Sequence, residues 1–313
     1  MKLKGGLKLV IIGLLLMVTE SITAQQKPVL SQYMFNGQVL NPAYSGVHEK
    51  LSATALYRNQ WVNLEGAPTI QTLTVNTGFK RNKTGVGIMI SNDKLGIHRD
   101  LGLYLSYSYK IQVKNGALSM GLQGGFNHLQ SDFTKLNLKN PGGPILDGIR
   151  GKYNPNFGAG LFYYSDIAYV GISVPYLVSN KIISETEGVM SEAREKRYYY
   201  MTAGRAFHLN QNVIWKPSVL IRFQEEAPLG YDINTNFVFH ELVTVGASYR
   251  SGDAFLWLFE LQISEKFRFG YAYDMTTSQL NQFSNGTHEL MLNYRVDISR
   301  GVSGKFIPCP NIF

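Results

Sequence analysis

The chain has 313 residues, a formal net charge of +8 and a single cysteine. That cysteine, Cys309, cannot form an intramolecular disulfide, and a zinc site built from several cysteines is excluded. The 30 Lys and Arg residues form no basic run, which argues against a nucleic-acid-binding surface. No linker or change in composition divides the chain after residue 50, so one large domain is the preferred interpretation.

The first residues have the parts of a secretory signal peptide. A basic start precedes the apolar run from Leu9 to Val18, and Ile22-Thr23-Ala24 follows before Gln25. This pattern predicts a signal peptide over residues 1–24, with cleavage between Ala24 and Gln25. A signal-anchor is the alternative, although the apolar run is short for a helix that spans a bilayer.

Residues 31–46 do not have the pattern of a strand or of a helix. Apolar and amide side chains alternate there irregularly, which suits a segment that packs against protein on several sides. We predict that residues 25–50 form an N-terminal plug or a periplasmic docking segment; a surface linker is the alternative. The candidate contact residues of this segment are Gln32, Tyr33, Phe35, Asn36, Asn41, Pro42, Tyr44 and Gly46.

From Leu51 onward the chain consists of short segments with two-residue alternation. In residues 101–113, for example, every odd position is apolar or aromatic, whereas the even positions are mostly polar. We predict an all-β fold with about fourteen strands. The predicted strands lie near residues 51–61, 69–79, 84–91, 100–113, 117–129, 157–164, 167–176, 198–208, 213–224, 230–239, 242–250, 254–264, 267–274 and 287–298.

The connections between these strands alternate between tight turns and longer loops, such as 92–99, 130–156 and 177–197. Transmembrane β-barrels have this asymmetry, so residues 51–313 are predicted to form an outer-membrane antiparallel barrel. A secreted soluble sandwich, barrel or propeller is the alternative. In a membrane the charges within the strands must face the lumen; they are Arg222, Asp232, Arg250, Glu260, Arg268, Asp274, Glu289 and Arg295.

No catalytic, cofactor or metal site is predicted. The six histidines are scattered, and neither a Gly-x-Ser-x-Gly elbow nor a phosphate-binding loop is present. His288 and Glu289 are neighbours on a strand and therefore point to opposite faces. The glycines of 121–125 and 158–160 lie inside strands, where they indicate close approach of another backbone.

A second group of residues lies where predicted strands meet loops. As a functional hypothesis, these residues form a surface that another protein recognises; ordinary turn chemistry is the alternative for Pro68 and for Asn285-Gly286. The group consists of Arg58, Gln60, Trp61, Pro68, Asp274, Asn285, Gly286, His288 and Glu289. Phe313, the aromatic last residue, is similar to the signal that outer-membrane barrels present to their insertion machinery, and coincidence is the alternative.

With these residues in view, the chain resembles the PorP/SprF family of outer-membrane proteins of type IX secretion systems. The tail Ile307–Phe313 departs from the common family pattern, which affects only a tail-specific contact. The matching stretches are Ser31–Asn36, Leu40–Tyr44, Tyr57–Trp61, Gly66–Pro68, Pro155–Ser165, Tyr169–Tyr176, Gly270–Asp274 and Ser284–Tyr294.

The resemblance implies a non-enzymatic component of a protein-export system of Bacteroidetes, linked in some members to gliding motility. Its implied partners are other type IX secretion subunits on the periplasmic side, secreted cargo or surface adhesins, and outer-membrane lipid. The competing functions are a porin-like channel for small solutes, suggested by the charged lumen, and an outer-membrane hydrolase. We further expect Asn36, Asn41 and Tyr44 to bind polar groups of the lumen, and Tyr33 and Phe35 to supply apolar contacts.

Overall fold

In a computed structural model, the alternating segments form a closed antiparallel barrel of fourteen strands, which confirms the predicted fold class and strand number. The structure describes residues 29–48, 50–79, 83–132, 134, 149–186, 189–194, 196–225 and 227–297. The predicted signal peptide, its cleavage site at Ala24 and Gln25, and the C-terminal Phe313 lie outside these ranges.

The strand bounds agree closely with the predicted ones over most of the chain. They are β1 (Leu51–Asn59), β2 (Thr69–Phe79), β3 (Thr84–Leu95), β4 (His98–Val113), β5 (Gly116–Asp132), β6 (Ile149–Ser165), β7 (Ala168–Val174), β8 (Lys181–Thr186), β9 (Val189–Arg194), β10 (Tyr198–Arg205), β11 (Phe207–His208), β12 (Val213–Gln224), β13 (Gly230–Phe239), β14 (Val243–Arg250), β15 (Ala254–Gln262), β16 (Phe267–Thr276) and β17 (Thr287–Val296).

Each barrel strand pairs with the next barrel strand along the chain, and the pairing of the first strand with the last closes the barrel. β1 pairs with β17 in a register that places Leu51 opposite Val296, and β10 pairs with β12. The two-residue strand β11 continues β10 along β12. β8 and β9 form a separate hairpin inside the segment that was predicted to be a long loop.

The two ends of the barrel differ in their connections. The turn end carries connections 80–83, 114–115, 166–167, 209–212, 240–242 and 263–266, and the start of β1 and the end of β17 lie there too. The loop end carries 60–68, 96–97, 133–148, 175–197, 225–229, 251–253 and 277–286. In bacterial outer-membrane barrels the short turns face the periplasm, so the turn end is the periplasmic end.

The predicted long loop over residues 92–99 is wrong. β3 and β4 continue to Leu95 and from His98, which leaves a two-residue turn at the loop end. Polar groups hold this extension together, because Arg99 donates a hydrogen bond to Asn92 Oδ1 at 2.6 Å. The hairpin therefore keeps its strand pairing beyond the apolar part of the sequence.

The two faces of the strands separate as the alternation predicts. Outward residues are large and apolar; for example, the exposed fraction is 61% for Leu105 and 65% for Leu122. Charges inside the strands, among them Asp232, Glu260 and Glu289, are buried on the inner face. Lipid contacts the outward face of such a barrel, so this arrangement keeps the charges away from hydrocarbon. Among the residues that the structure describes, no helix is long and apolar enough to cross a membrane.

Candidate functional site

Residues 29–48, here called the N-terminal segment, form three short 3-10 helices at Tyr33–Phe35, Gly37–Val39 and Pro42–Tyr44. The side chain of Asn41 starts the third of these by accepting a hydrogen bond from the Ala43 amide at 2.9 Å. Successive short turns aim side chains in all directions, and this explains why apolar and amide residues alternate without a period. Most of the segment is buried, including residues of both kinds.

The N-terminal segment follows the inner face of the barrel from one end to the other. Leu30 packs against Leu56 and Ile70, which lie near the loop end of β1 and β2. At its other extremity the segment leads into β1, which begins at the turn end. The segment thus reaches the loop end, well beyond the periplasmic mouth of the barrel.

A network of buried ion pairs, here called the loop-end cluster, lies beside the start of this segment. Arg58 is 2.7 Å from Asp274 and 3.1 Å from Glu289. Asp232 lies 2.9 Å from Arg222 and 2.9 Å from Arg250, and Arg250 is 3.7 Å from Asp274. The members of the cluster are Arg58, Arg222, Asp232, Arg250, Asp274 and Glu289, three basic and three acidic residues in a continuous chain of pairs.

The loop-end cluster binds the N-terminal segment directly. The backbone amides of Ser31 and Gln32 each donate to one oxygen of Glu289, both at 2.8 Å. The hydroxyl of Ser31 donates to Asp274 at 2.7 Å and accepts from Arg58. Hydrogen bonds to charged groups are stronger than neutral ones, so this is the most firmly held part of the segment.

On the other side of the barrel mainly neutral groups hold the segment, together with the buried ammonium of Lys110 on β4, which donates to the Gly46 carbonyl. The amide of Asn41 donates to the backbone carbonyls of Leu161 at 3.0 Å and Ile172 at 3.3 Å, on β6 and β7. Asn36 Oδ1 accepts from Thr74 at 3.0 Å. The expected amide contacts of Asn36 and Asn41 with the lumen are present, although those of Asn41 go to backbone rather than to side chains.

Glycines on the inner face allow the segment to lie directly on the strands. A Cβ atom at Gly121 would fall on the backbone of Ala43, and one at Gly160 on the side chain of Asn41. The sequence predicted close backbone approach at both glycines. The approaching chain is the N-terminal segment, which packs there without room for a methyl group.

Three aromatic residues of the segment have different surroundings. Tyr33 is buried, and its hydroxyl accepts a hydrogen bond from Asn234 at 2.5 Å. Burial raises the pKa of Tyr33 well above its ordinary value, and the charge of Asp232 acts in the same direction. The hydroxyl of Tyr44 lies 3.3 Å from His48 Nε2, within the segment itself. Phe35 is only half-buried and faces a cavity.

Other predicted site residues lie at the loop end or on the outer face. Gln60 donates its backbone amide to the Pro68 carbonyl at 2.9 Å, and Trp61 donates its own to Thr287. The backbones of Asn285 and Gly286 bond to Val62, at 2.9 Å in each case. His288 is on the outward face, where its Nδ1 is 2.7 Å from the Tyr271 hydroxyl.

Of the recognition residues predicted from the sequence, only Arg58, Asp274 and Glu289 meet inside the barrel. Ser31 was not singled out, although it contacts all three side chains. Asp232, Arg222 and Arg250 were predicted as lumen charges but not as partners of the segment. The only signal for them was a charge at an inward position of a strand, which does not reveal its partner.

A cavity of about 800 Å³ occupies the turn end on the side opposite the 3-10 helix at 42–44. Its wall comes mostly from β10 to β17 and includes Tyr169 of β7, with Met34, Phe35 and His48 of the segment on its inner side. Burial lowers the pKa of His48 well below its ordinary value, and the charges of Arg295 and Arg268 act in the same direction. Within the described ranges, no group of three or more His, Cys, Asp or Glu could hold a metal ion.

Comparisons with solved structures find barrels of the same general kind. The CymD monoaromatic hydrocarbon channel has a TM-score of 0.51 at 11% identity, over 85% of this chain and 92% of that one. A Pseudomonas aeruginosa FadL homologue has a TM-score of 0.47 at 12% identity, over 86% and 94%. Omp33 of Acinetobacter baumannii has a TM-score of 0.45 at 10% identity, over 80% and 100%. Of these three, the CymD channel has a TM-score above 0.5, and at 11% identity its likeness shows the fold alone.

Comparison with curated protein sequences finds no match. The family model described as "Type IX secretion system membrane protein PorP/SprF" matches residues 22–294, which include the N-terminal segment and every barrel strand except the last two residues of β17. This match agrees with the resemblance found in the sequence motifs and with the outer-membrane barrel fold. The chain belongs to the PorP/SprF family of type IX secretion system membrane proteins.

Proposed function

We propose that this protein is a non-enzymatic outer-membrane component of the type IX secretion system that supports export or surface attachment of cargo proteins and adhesins. Its partners are other secretion components on the periplasmic side, with cargo or adhesin at the loop end. In this proposal the chain is exported by the signal peptide cleaved between Ala24 and Gln25, and Phe313 guides insertion into the membrane. The host belongs to the Bacteroidetes, in some of which the family serves gliding.

The observation that carries the proposal is the burial of the N-terminal segment against the lumen. Gln32, Asn36, Asn41 and Tyr44 are each 5% exposed or less, so they offer little surface to a docking partner. We therefore assign the segment the role of a plug rather than of a docking element. A plugged barrel is a scaffold for other proteins in the membrane. The recognition surface lies at the loop end, where Trp61 and Asn285 are accessible and the buried Gln60, Pro68 and Gly286 support the loops that carry them.

Deleting the gene and comparing secreted and surface proteins tests this function. We expect particular cargo proteins to disappear from the surface and to accumulate in the periplasm. A chain with Asn41→Ala and Tyr44→Ala should still insert into the membrane but support less secretion. An unchanged profile of surface and secreted proteins in the deletion strain would contradict the proposal.

A porin-like channel for small solutes is the second candidate, supported by the charged lumen and the cavity at the turn end. Solute passage through the barrel requires the N-terminal segment to leave the lumen. Planar-bilayer recording separates the two functions: steady conductance by the full mature chain favours the channel, and its absence favours the secretion component.

A further inference from the structure

The wall of the turn-end cavity carries an excess of positive charge. Lys216, Arg268 and Arg295 lie on β12, β16 and β17, and Glu260 on β15 is the acidic residue among these strand positions. Glu260 is 3.3 Å from Arg268 and so is already paired. Charges in a recess that is partly shielded from water attract counter-charges strongly, so the wall favours an anion.

Lys216 is the basic side chain best placed to receive that anion. It is half-buried on the inner face of β12, and among the described residues no carboxylate lies within 4.0 Å of its ammonium group. Asn236, which lies opposite Lys216 on β13, is 3% exposed. Its Oδ1 is buried against Gly246 of β14, so it offers a ligand no surface. Lys216 is therefore the polar group of this pair that a ligand can reach, and its ammonium without a carboxylate partner favours a negatively charged ligand.

The rim of the cavity has the opposite charge. Glu241, Glu265 and Asp297 are exposed there and outnumber the exposed basic residues Lys50 and Arg205. A small free anion would be repelled by these carboxylates as it entered. A chain molecule with a negative tip and a positive flank would instead match both the wall and the rim.

We infer that the turn-end cavity binds a polypeptide segment with a carboxylate-rich tip followed by lysines or arginines, supplied by a protein on the periplasmic side. A volume of about 800 Å³ suits a short peptide tip and excludes a folded domain. The tip carboxylates pair with Lys216 inside the cavity. The inference deepens the proposed function in one respect, since it names where and by what chemistry a periplasmic partner is held.

Binding of labelled peptides to the purified full-length protein in detergent tests the inference. One peptide has three glutamates followed by three lysines, with fluorescein on the lysine end. The other has the same residues with fluorescein on the glutamate end, so that its free end is basic. Fluorescence anisotropy should show at least about tenfold tighter binding of the first peptide, because hydrogen bonds to charged groups stabilise by this amount or more.

Two variants locate the site. Lys216→Gln should weaken binding of the first peptide about tenfold. Lys94→Gln, which removes the same charge from an exposed position at the loop end, should leave binding unchanged. Equal binding of the two peptides, or equal effects of the two substitutions, would overturn the inference.

A photo-crosslinking amino acid at position 238, on the cavity wall, identifies the occupant. Capture of the acidic-tipped peptide supports the inference. Capture of the chain's own residues 298–313, or displacement of the peptide by millimolar inorganic phosphate, would overturn it in favour of the tail or of a small anion. These outcomes leave the secretion function intact, since the deletion strain tests that function separately.

Discussion

The two sides of the lumen hold the N-terminal segment by different means. On the neutral side, formed by β2 to β7, the segment lies on glycines and bonds mostly through amides and hydroxyls to strand backbone and side chains, with Lys110 of β4 as a charged donor to Gly46. On the charged side, formed by β12 to β17 with β1, it is held at Ser31 and Gln32 by the loop-end cluster, and below them lies the open cavity. The neutral side thus supplies close packing, whereas the charged side supplies a few strong contacts at one level of the barrel.

Removing one charge from the loop-end cluster should have the largest effect. Arg58→Met leaves Asp274 and Glu289 buried without their closest basic partner. Breaking a buried ion pair in this way costs about 3–5 kcal/mol of unfolding free energy. The urea concentration at which the heat-modifiable gel band of the folded barrel disappears should fall accordingly.

Arg99→Met is the matched control, because Arg99 is exposed at the loop end. Its loss should cost less than about 1 kcal/mol. Equal losses of stability in the two variants would show that Arg58 in the loop-end cluster contributes no more to the unfolding free energy than an exposed arginine does.

A methyl group on the neutral side should have the next largest effect. Gly121→Ala places a Cβ atom on the backbone of Ala43, so the segment must shift away from β5. Overpacking of this kind costs about 1–3 kcal/mol. Gly124→Ala on the outward face of the same strand is the control, since the nearest atom there belongs to the ring of Phe157. Urea unfolding of the two variants side by side decides whether the inner glycine is required.

Asn41→Ala should have a smaller effect. It removes the cap of the 3-10 helix at 42–44 and the amide donor to β6 and β7. The expected loss is about 0.5–2 kcal/mol, the range for loss of a helix cap. Asn92→Ala, at a partly exposed site near the loop end, should change the urea midpoint less. A larger effect of Asn92→Ala would contradict the role assigned to Asn41.

Tyr33→Phe should have the smallest effect. It removes the hydroxyl that accepts from Asn234 and keeps the ring in its buried site. A neutral hydrogen bond contributes about 0.5–1.5 kcal/mol. Tyr153→Phe, on the outward face, serves as the reference in the same unfolding measurement. Asn234 lies on β13 of the charged side, so a larger loss for Tyr33→Phe than for Arg58→Met would show that the loop-end cluster is not the strongest attachment on that side.

The fold could be predicted from the sequence because two-residue alternation fixes both the strands and their inner and outer faces. The prediction fails where the outward positions of a strand are no longer apolar. In residues 92–99 a hydrogen bond between the side chains of Arg99 and Asn92 extends the β3–β4 hairpin, and a hydrophobic pattern does not reveal such a bond. The β8–β9 hairpin was missed as well; it forms a separate two-stranded sheet, so the geometry of the barrel does not predict it.

The site was predicted less completely than the fold. Arg58, Asp274 and Glu289 were chosen as single residues, yet 216 positions separate the first two along the chain and only barrel closure brings them together. Ser31 is a common residue in an irregular stretch, and nothing in its local pattern indicates two buried carboxylates as partners. The path of the segment toward the loop end likewise depends on contacts across the lumen rather than on local sequence.

Conductance of single barrels in planar bilayers tests most directly whether residues 29–48 plug the lumen. The full mature chain should remain closed, whereas a chain that lacks residues 29–48 but retains a heat-modifiable barrel should conduct in discrete steps. A full mature chain that conducts as well as the deleted one would contradict the proposed plug.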